Sequence, residues 1–117
     1  MKNTILGMML LFVAFSTQAQ EKKNKNAKYI VEVNGNCELC KKRIEKAAFE
    51  VKGVKSAVWD IESHQLSLIV NEEKCSLLEV EQQLAKVGHD TKDVKAADEV
   101  YDQLHGCCKY DRDLKLN

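Results

Sequence analysis

The chain has 117 residues, with 18 Lys+Arg against 18 Asp+Glu, 44% hydrophobic residues, five cysteines and no proline. This length holds one small domain, and the even charge argues against a nucleic-acid partner, which needs a basic excess to meet phosphates. The absence of proline excludes folds built on a cis-proline, because cis peptide bonds are almost confined to X-Pro.

Lys2 precedes an apolar run from Ile5 to Phe15, and Ser16-Thr17-Gln18-Ala19 then supplies small residues for a cleavage site. The run is far shorter than the roughly 20 residues of a membrane-spanning helix, so residues 1–19 read as a signal peptide cut after Ala19. The expectation is an exported, periplasmic protein with no stable membrane insertion after cleavage. Residues 20–27 are polar and lysine-rich and read as a flexible leader.

Tyr29-Ile30-Val31-Glu32-Val33 has strand composition. From Glu38 to Val51, Cys40, Ile44, Ala47, Ala48 and Val51 recur at helical spacing, and Gly53 closes that helix. Ala57, Trp59 and Ile61 alternate, Glu62-Ser63-His64-Gln65 turns the chain, and Leu66, Leu68 and Val70 alternate again, which predicts an antiparallel hairpin. Ser76-Leu77-Leu78-Glu79 is a capping box that starts a second helix with Leu77, Val80, Leu84 and Val87 as its buried stripe. Gly88 ends it, and Asp90 to Val94 supplies a short polar edge strand. The order βαββαβ predicts an α+β, ferredoxin-like sandwich over residues 28–95, a four-stranded antiparallel sheet with two helices on one face. In residues 96–117, Ala96, Ala97, Val100, Tyr101 and Leu104 suggest a short helix before a Cys107-Cys108 tail.

The sharpest chemical feature is Cys37-Glu38-Leu39-Cys40, between the first strand and the first helix. Two thiolates three positions apart turn toward one ion, and the helix N-terminus with Lys41, Lys42 and Arg43 nearby favours the thiolate form. Such a pair suits Cu(I), Zn(II), Cd(II) or Hg(II) rather than hard cations. The basic run itself reads as a solvated helix face that steers an acidic partner.

Val33-Asn34-Gly35-Asn36-Cys37-Glu38-Leu39-Cys40, with Ile44-Glu45-Lys46-Ala47, Gly53-Val54 and Val87-Gly88-His89-Asp90, resembles the heavy-metal-associated domain over roughly residues 28–95. That resemblance implies a ferredoxin-like fold, metal held by Cys37 and Cys40, and a metal-transporting P-type ATPase or another efflux component as acceptor or donor. The family spans copper chaperones and periplasmic mercuric-ion binding proteins, so Hg(II) stands as the alternative to Cu(I). The chain departs from the family in one place: Asn34-Gly35-Asn36 replaces the usual Gly-Met-Thr, and the methionine that tethers the metal loop is missing.

His89 follows the second helix, where the family commonly has a tyrosine or lysine close to the metal. It is a candidate third ligand or a donor behind the thiols, against a plain solvent-facing loop residue. A tail helix from Ala96 to Leu104 advances about 13 Å, roughly a strand length, so Cys107 and Cys108 can return to the CxxC and enlarge its thiol cluster, within one chain or in a metal-bridged dimer. Cys75, His64, Trp59 and Phe49 read as structural: a small thiol remote from the site, a turn residue, and two core or groove aromatics.

The leading enzyme alternative is thiol-disulfide exchange, but thioredoxin-like enzymes set a cis-proline against their CxxC and this chain has none. A c-type haem site needs histidine where Lys41 stands. A disulfide-stapled module remains the bland rival. The sequence therefore predicts a non-enzymatic carrier that takes a soft cation, Cu(I) first, and passes it on by thiolate exchange.

Overall fold

Three segments rich in branched and aromatic residues pair into one antiparallel sheet within residues 22–112, the part of the chain that the computed structural model describes. They are β1 (Ala27–Glu32), β2 (Val54–Trp59) and β3 (Gln65–Val70), in the order β1-β3-β2. Central β3 runs against β1 from Ala27↔Val70 to Glu32↔Gln65, and against β2 from Val54↔Val70 to Trp59↔Leu66. Side chains alternate across the sheet, so Val31, Ala57, Trp59, Leu66, Leu68 and Val70 point into the core, while Ile30 and Val58 face solvent.

Helix α1 (Glu38–Phe49) buries Cys40, Ile44, Ala47 and Ala48 against that inner face, leaving Val51 half-buried beyond its end. Helix α2 (Leu77–Lys86) starts at the expected capping box: Ser76 Oγ accepts from the Glu79 N–H at 3.2 Å and the Glu79 carboxylate accepts from the Ser76 N–H at 2.8 Å. Val80 and Leu84 are fully buried, with Leu77 and Val87 packed at the margin. The β2–β3 turn is held by Asp60, whose carboxylate accepts from both Ser63 N–H and Ser63 Oγ. Phe49, expected in the core or a groove, is half exposed.

The expected fourth strand is absent among the described residues. Its place beside β1 holds a single antiparallel bridge, Val33↔Thr91. Thr91 explains the loss, because its N–H donates to Val94 O at 2.8 Å and its hydroxyl accepts the Val94 N–H at 3.2 Å. A side chain that offers the backbone a local partner competes with a ladder, and here it folds 91–94 into a tight turn. The sheet is therefore three-stranded rather than four-stranded.

Strand β1 begins at Ala27, inside the stretch assigned to the leader, and the chain before it is tied to the end of β3 by reciprocal bonds between Asn24 and Glu72. After α2, Gly88 takes φ +105°, and a Cβ there would stand 2.9 Å from Leu104. The tail therefore packs directly on the α2 terminus. Its helix α3 (Asp98–Asp102) is shorter than expected and is followed by a 3₁₀ turn, Gly106–Cys108. Residues 1–21, which include the expected signal peptide, and 113–117 lie outside the described residues. Among those described, no helix is long and apolar enough to cross a membrane.

Candidate metal centre

Cys37 is the N-cap of α1 and Cys40 lies in its first turn, so one helix start presents both thiols of the CxxC. Their sulfurs are 3.4 Å apart. The loop before them lies close on the core: a Cβ on Gly35 would stand 3.1 Å from both Cys40 Cβ and the Trp59 ring, so a larger residue there would press on both. Polar contacts tether this loop. Asn34 N–H donates to Asp90 O at 2.9 Å, His89 Nδ1 donates to Asn34 O at 2.8 Å, and Trp59 Nε1 donates to Val33 O at 3.1 Å.

The tail brings two more thiols to the same point. Cys108 is fully buried with its sulfur 3.2 Å from Cys37, while Cys107 is exposed, 3.4 Å from Cys37 and 4.0 Å from Cys108. The sulfurs of Cys37, Cys40 and Cys108 all lie within 4.8 Å of one another. A soft ion with bonds of about 2.3 Å needs sulfurs about 4.0 Å apart in a trigonal site and about 4.6 Å apart in a linear one. Trigonal coordination requires the Cys37–Cys40 and Cys37–Cys108 separations to open by about 0.6 and about 0.8 Å. All five cysteines are free thiols.

A clasp fixes the tail. Arg112 donates to both oxygens of the fully buried Asp90 carboxylate at 2.9 Å, and to Ala96 O at 2.7 Å. The Tyr110 hydroxyl donates to Gly88 O at 2.6 Å and accepts from Asp90 N–H at 3.0 Å, while its ring stacks on His89 at 5.5 Å. Tyr101 closes on it edge to face and donates to Tyr110 O.

The electrostatics separate the thiols. Burial pushes Cys37 up, but the Cys40 N–H and hydrogen bonds with the Cys108, Cys40 and Cys107 thiols outweigh it and bring Cys37 from 9.0 down to about 7. Burial, with thiols already donating to Cys37, pushes Cys40 up to about 12, and the bond to Cys37 raises Cys107 to about 11. Of these three thiols Cys37 is the most acidic. Arg43 Nη1 stands 3.3 Å from Cys108 Sγ, a fixed cation beside a cluster that gains charge as thiols ionise. Lys41 is engaged too, by Glu45 and Trp59 O at 2.7 Å, so of the basic run only Lys42 is fully solvated.

His89 is neither exposed nor part of the thiol group. Burial lowers its pKa to about 4, and since Asn34 O can only accept, the ring is the neutral Nδ1–H form with Nε2 unpaired among the described residues. It serves the loop rather than the ion. His64 stacks flat on Trp59 at 5.8 Å, and Cys75 is a core thiol near Asn71. Sequence reasoning placed Arg43 beside the thiols but missed the anchoring roles of Asn34, Asp90, Tyr110 and Arg112. Tyr110 was the available signal, a lone aromatic in a polar tail two residues past the paired cysteines.

No protein-family model matches the chain, and no curated protein does. Solved structures do. A CopZ metallochaperone is 27% identical over 56% of this chain and 98% of its own, with a TM-score of 0.54. The N-terminal domain of a potential copper-translocating P-type ATPase from Bacillus subtilis, in its Cu(I)-loaded state, is 22% identical over 56% of this chain and 84% of its own, at 0.54. The N-terminal domain of the zinc(II) ATPase ZiaA, in its apo form, is 21% identical over 62% of this chain and 73% of its own, at 0.50. The fold is that of the heavy-metal-associated domains, as the resemblance implied.

Proposed function

We propose that this protein is an exported carrier that binds Cu(I) through Cys37 and Cys40, completes the site with Cys108, and hands the ion to another thiol site. The observation that carries this reading is the contact of the three sulfurs, two of them fully buried, at a helix start. Thiolates select soft ions, and the nearby Arg43 offsets the negative charge of a three-thiolate copper site. Transfer is ligand exchange: an incoming thiolate bonds the ion, a resident thiolate leaves with a proton, and the oxidation state is unchanged. No substrate bond is made or broken. The natural acceptor or donor is a metal-transporting P-type ATPase or efflux component, because its cysteine-bearing module offers the same soft ligands. Hg(II) is the second reading, Zn(II) and Cd(II) the lesser ones, since the same thiols serve all of them.

The test is anaerobic titration of the reduced protein lacking residues 1–19 with Cu(I), Hg(II) and Zn(II) against competing chelators, beside Cys37→Ser and Cys108→Ser. One tightly held Cu(I), lost in Cys37→Ser and weakened at least tenfold in Cys108→Ser, is the expected result. Tighter relative retention of Hg(II) in the presence of thiol competitors moves the reading to mercury, and ready cycling of Cys37 and Cys40 to a disulfide without metal binding moves it to redox chemistry.

A further inference from the structure

The four thiols form two overlapping sets of three. The inner set is Cys37, Cys40 and Cys108, all within 4.8 Å of one another. The outer set is Cys37, Cys107 and Cys108, with separations of 3.4, 3.2 and 4.0 Å. Cys37 and Cys108 belong to both. What distinguishes the sets is the third member: Cys40 has no exposed surface, whereas Cys107 is open to solvent.

We infer that the ion leaves the buried site by exchanging Cys40 for Cys107, so that Cys107 is the transfer ligand that presents it to an acceptor. This rests on the carrier reading above and assigns the order of its steps. The exchange breaks one sulfur–metal bond and makes one: the Cys107 thiol gives up its proton as it bonds the ion, Cys40 takes up a proton as it leaves, and copper remains Cu(I) throughout. Cys37 and Cys108 hold the ion during the swap, so it is never less than two-coordinate. Cys108 cannot itself swing outward, because Tyr110 and Arg112, two and four residues further on, are bound to Gly88 and to the buried Asp90. Cys107 is the member of the pair on the solvent side. An acceptor thiolate then meets the ion at the exposed Cys107 rather than at the buried Cys40 and Cys108 sulfurs.

The experiment loads the full cysteine complement with one Cu(I) and follows its transfer to an excess of a colour-forming Cu(I) chelator by stopped flow, together with the equilibrium constant for the same exchange. In Cys107→Ser, transfer slows at least tenfold, and by more than the dissociation constant changes. In Cys40→Ser, which leaves only the outer set, release speeds up and binding weakens. Transfer in Cys107→Ser at the wild-type rate overturns the proposed route while leaving the carrier reading intact. Wild-type protein that holds no Cu(I) through Cys37 overturns both.

Discussion

Arg112 and Asp90, twenty-two residues apart in the chain, meet through two parallel hydrogen bonds of 2.9 Å, and this pair sets where Cys108 lies. The Asp90 carboxylate has no exposed surface and Arg112 is about one-fifth exposed, so the pair is a largely desolvated one whose geometry the fork-shaped guanidinium fixes. It joins the loop after α2, which carries His89 and tethers Asn34, to the tail that carries the second thiol pair.

Removing one partner strands the other. In Arg112→Ala the buried Asp90 keeps only the Ala96 N–H and loses its counter-charge, so folding stability falls by about 2 kcal/mol or more. Urea unfolding of wild type and variant measures this, and Cys108 in the variant becomes accessible to alkylation in the folded state. An unchanged midpoint with Cys108 still protected contradicts the clasp.

His89 gives the fold an acid sensitivity of known sign. Buried and neutral, it titrates near 4 in the folded protein, against about 6.5 unfolded. Its contribution is complete above pH 6.5. Between 6.5 and 4 the unfolded chain takes up a proton that the folded one refuses, so stability declines by about 1.4 kcal/mol per pH unit and by about 3 kcal/mol in all. Below that range it is flat. In His89→Gln this part of the decline disappears, and denaturant midpoints collected from pH 7.5 to 4 compare the two slopes.

The most exposed thiol of the cluster is not its most reactive one. Cys37 is brought down to about 7, whereas Cys107, though more exposed, is raised to about 11 by its hydrogen bond with Cys37. Brief alkylation at pH 7 followed by peptide mass mapping finds label on Cys37 ahead of Cys107, with Cys40 unlabelled. Lowering the pH from 8 to 6 suppresses Cys37 labelling with a midpoint near 7. Cys107 reacting first contradicts the charge distribution.

Local signals in the sequence carried most of this architecture. The Ser76–Glu79 capping box, the alternation through Trp59 and Leu66, and the spacing of Cys40, Ile44, Ala47 and Ala48 each encode their element within a few residues. The fourth strand failed because Thr91 supplies a local hydroxyl partner that alternation cannot reveal. The candidate site divides the same way. Cys37 and Cys40 are legible as a spacing, and a return of the tail thiols was legible as a length argument. The loop anchors were not, since Asn34, His89, Asp90, Tyr110 and Arg112 act through pairings up to 56 residues apart. His89 drew notice as a metal ligand because its place near the loop could be read, while its burial against Tyr110 could not.

The central claim is that three thiols of one chain take one soft ion, and X-ray absorption at the copper edge measures it most directly. Wild-type protein loaded with one Cu(I) is expected to show three sulfur neighbours at about 2.3 Å, falling to two in Cys108→Ser. Two sulfurs in the wild type, unchanged by Cys108→Ser, would contradict the account.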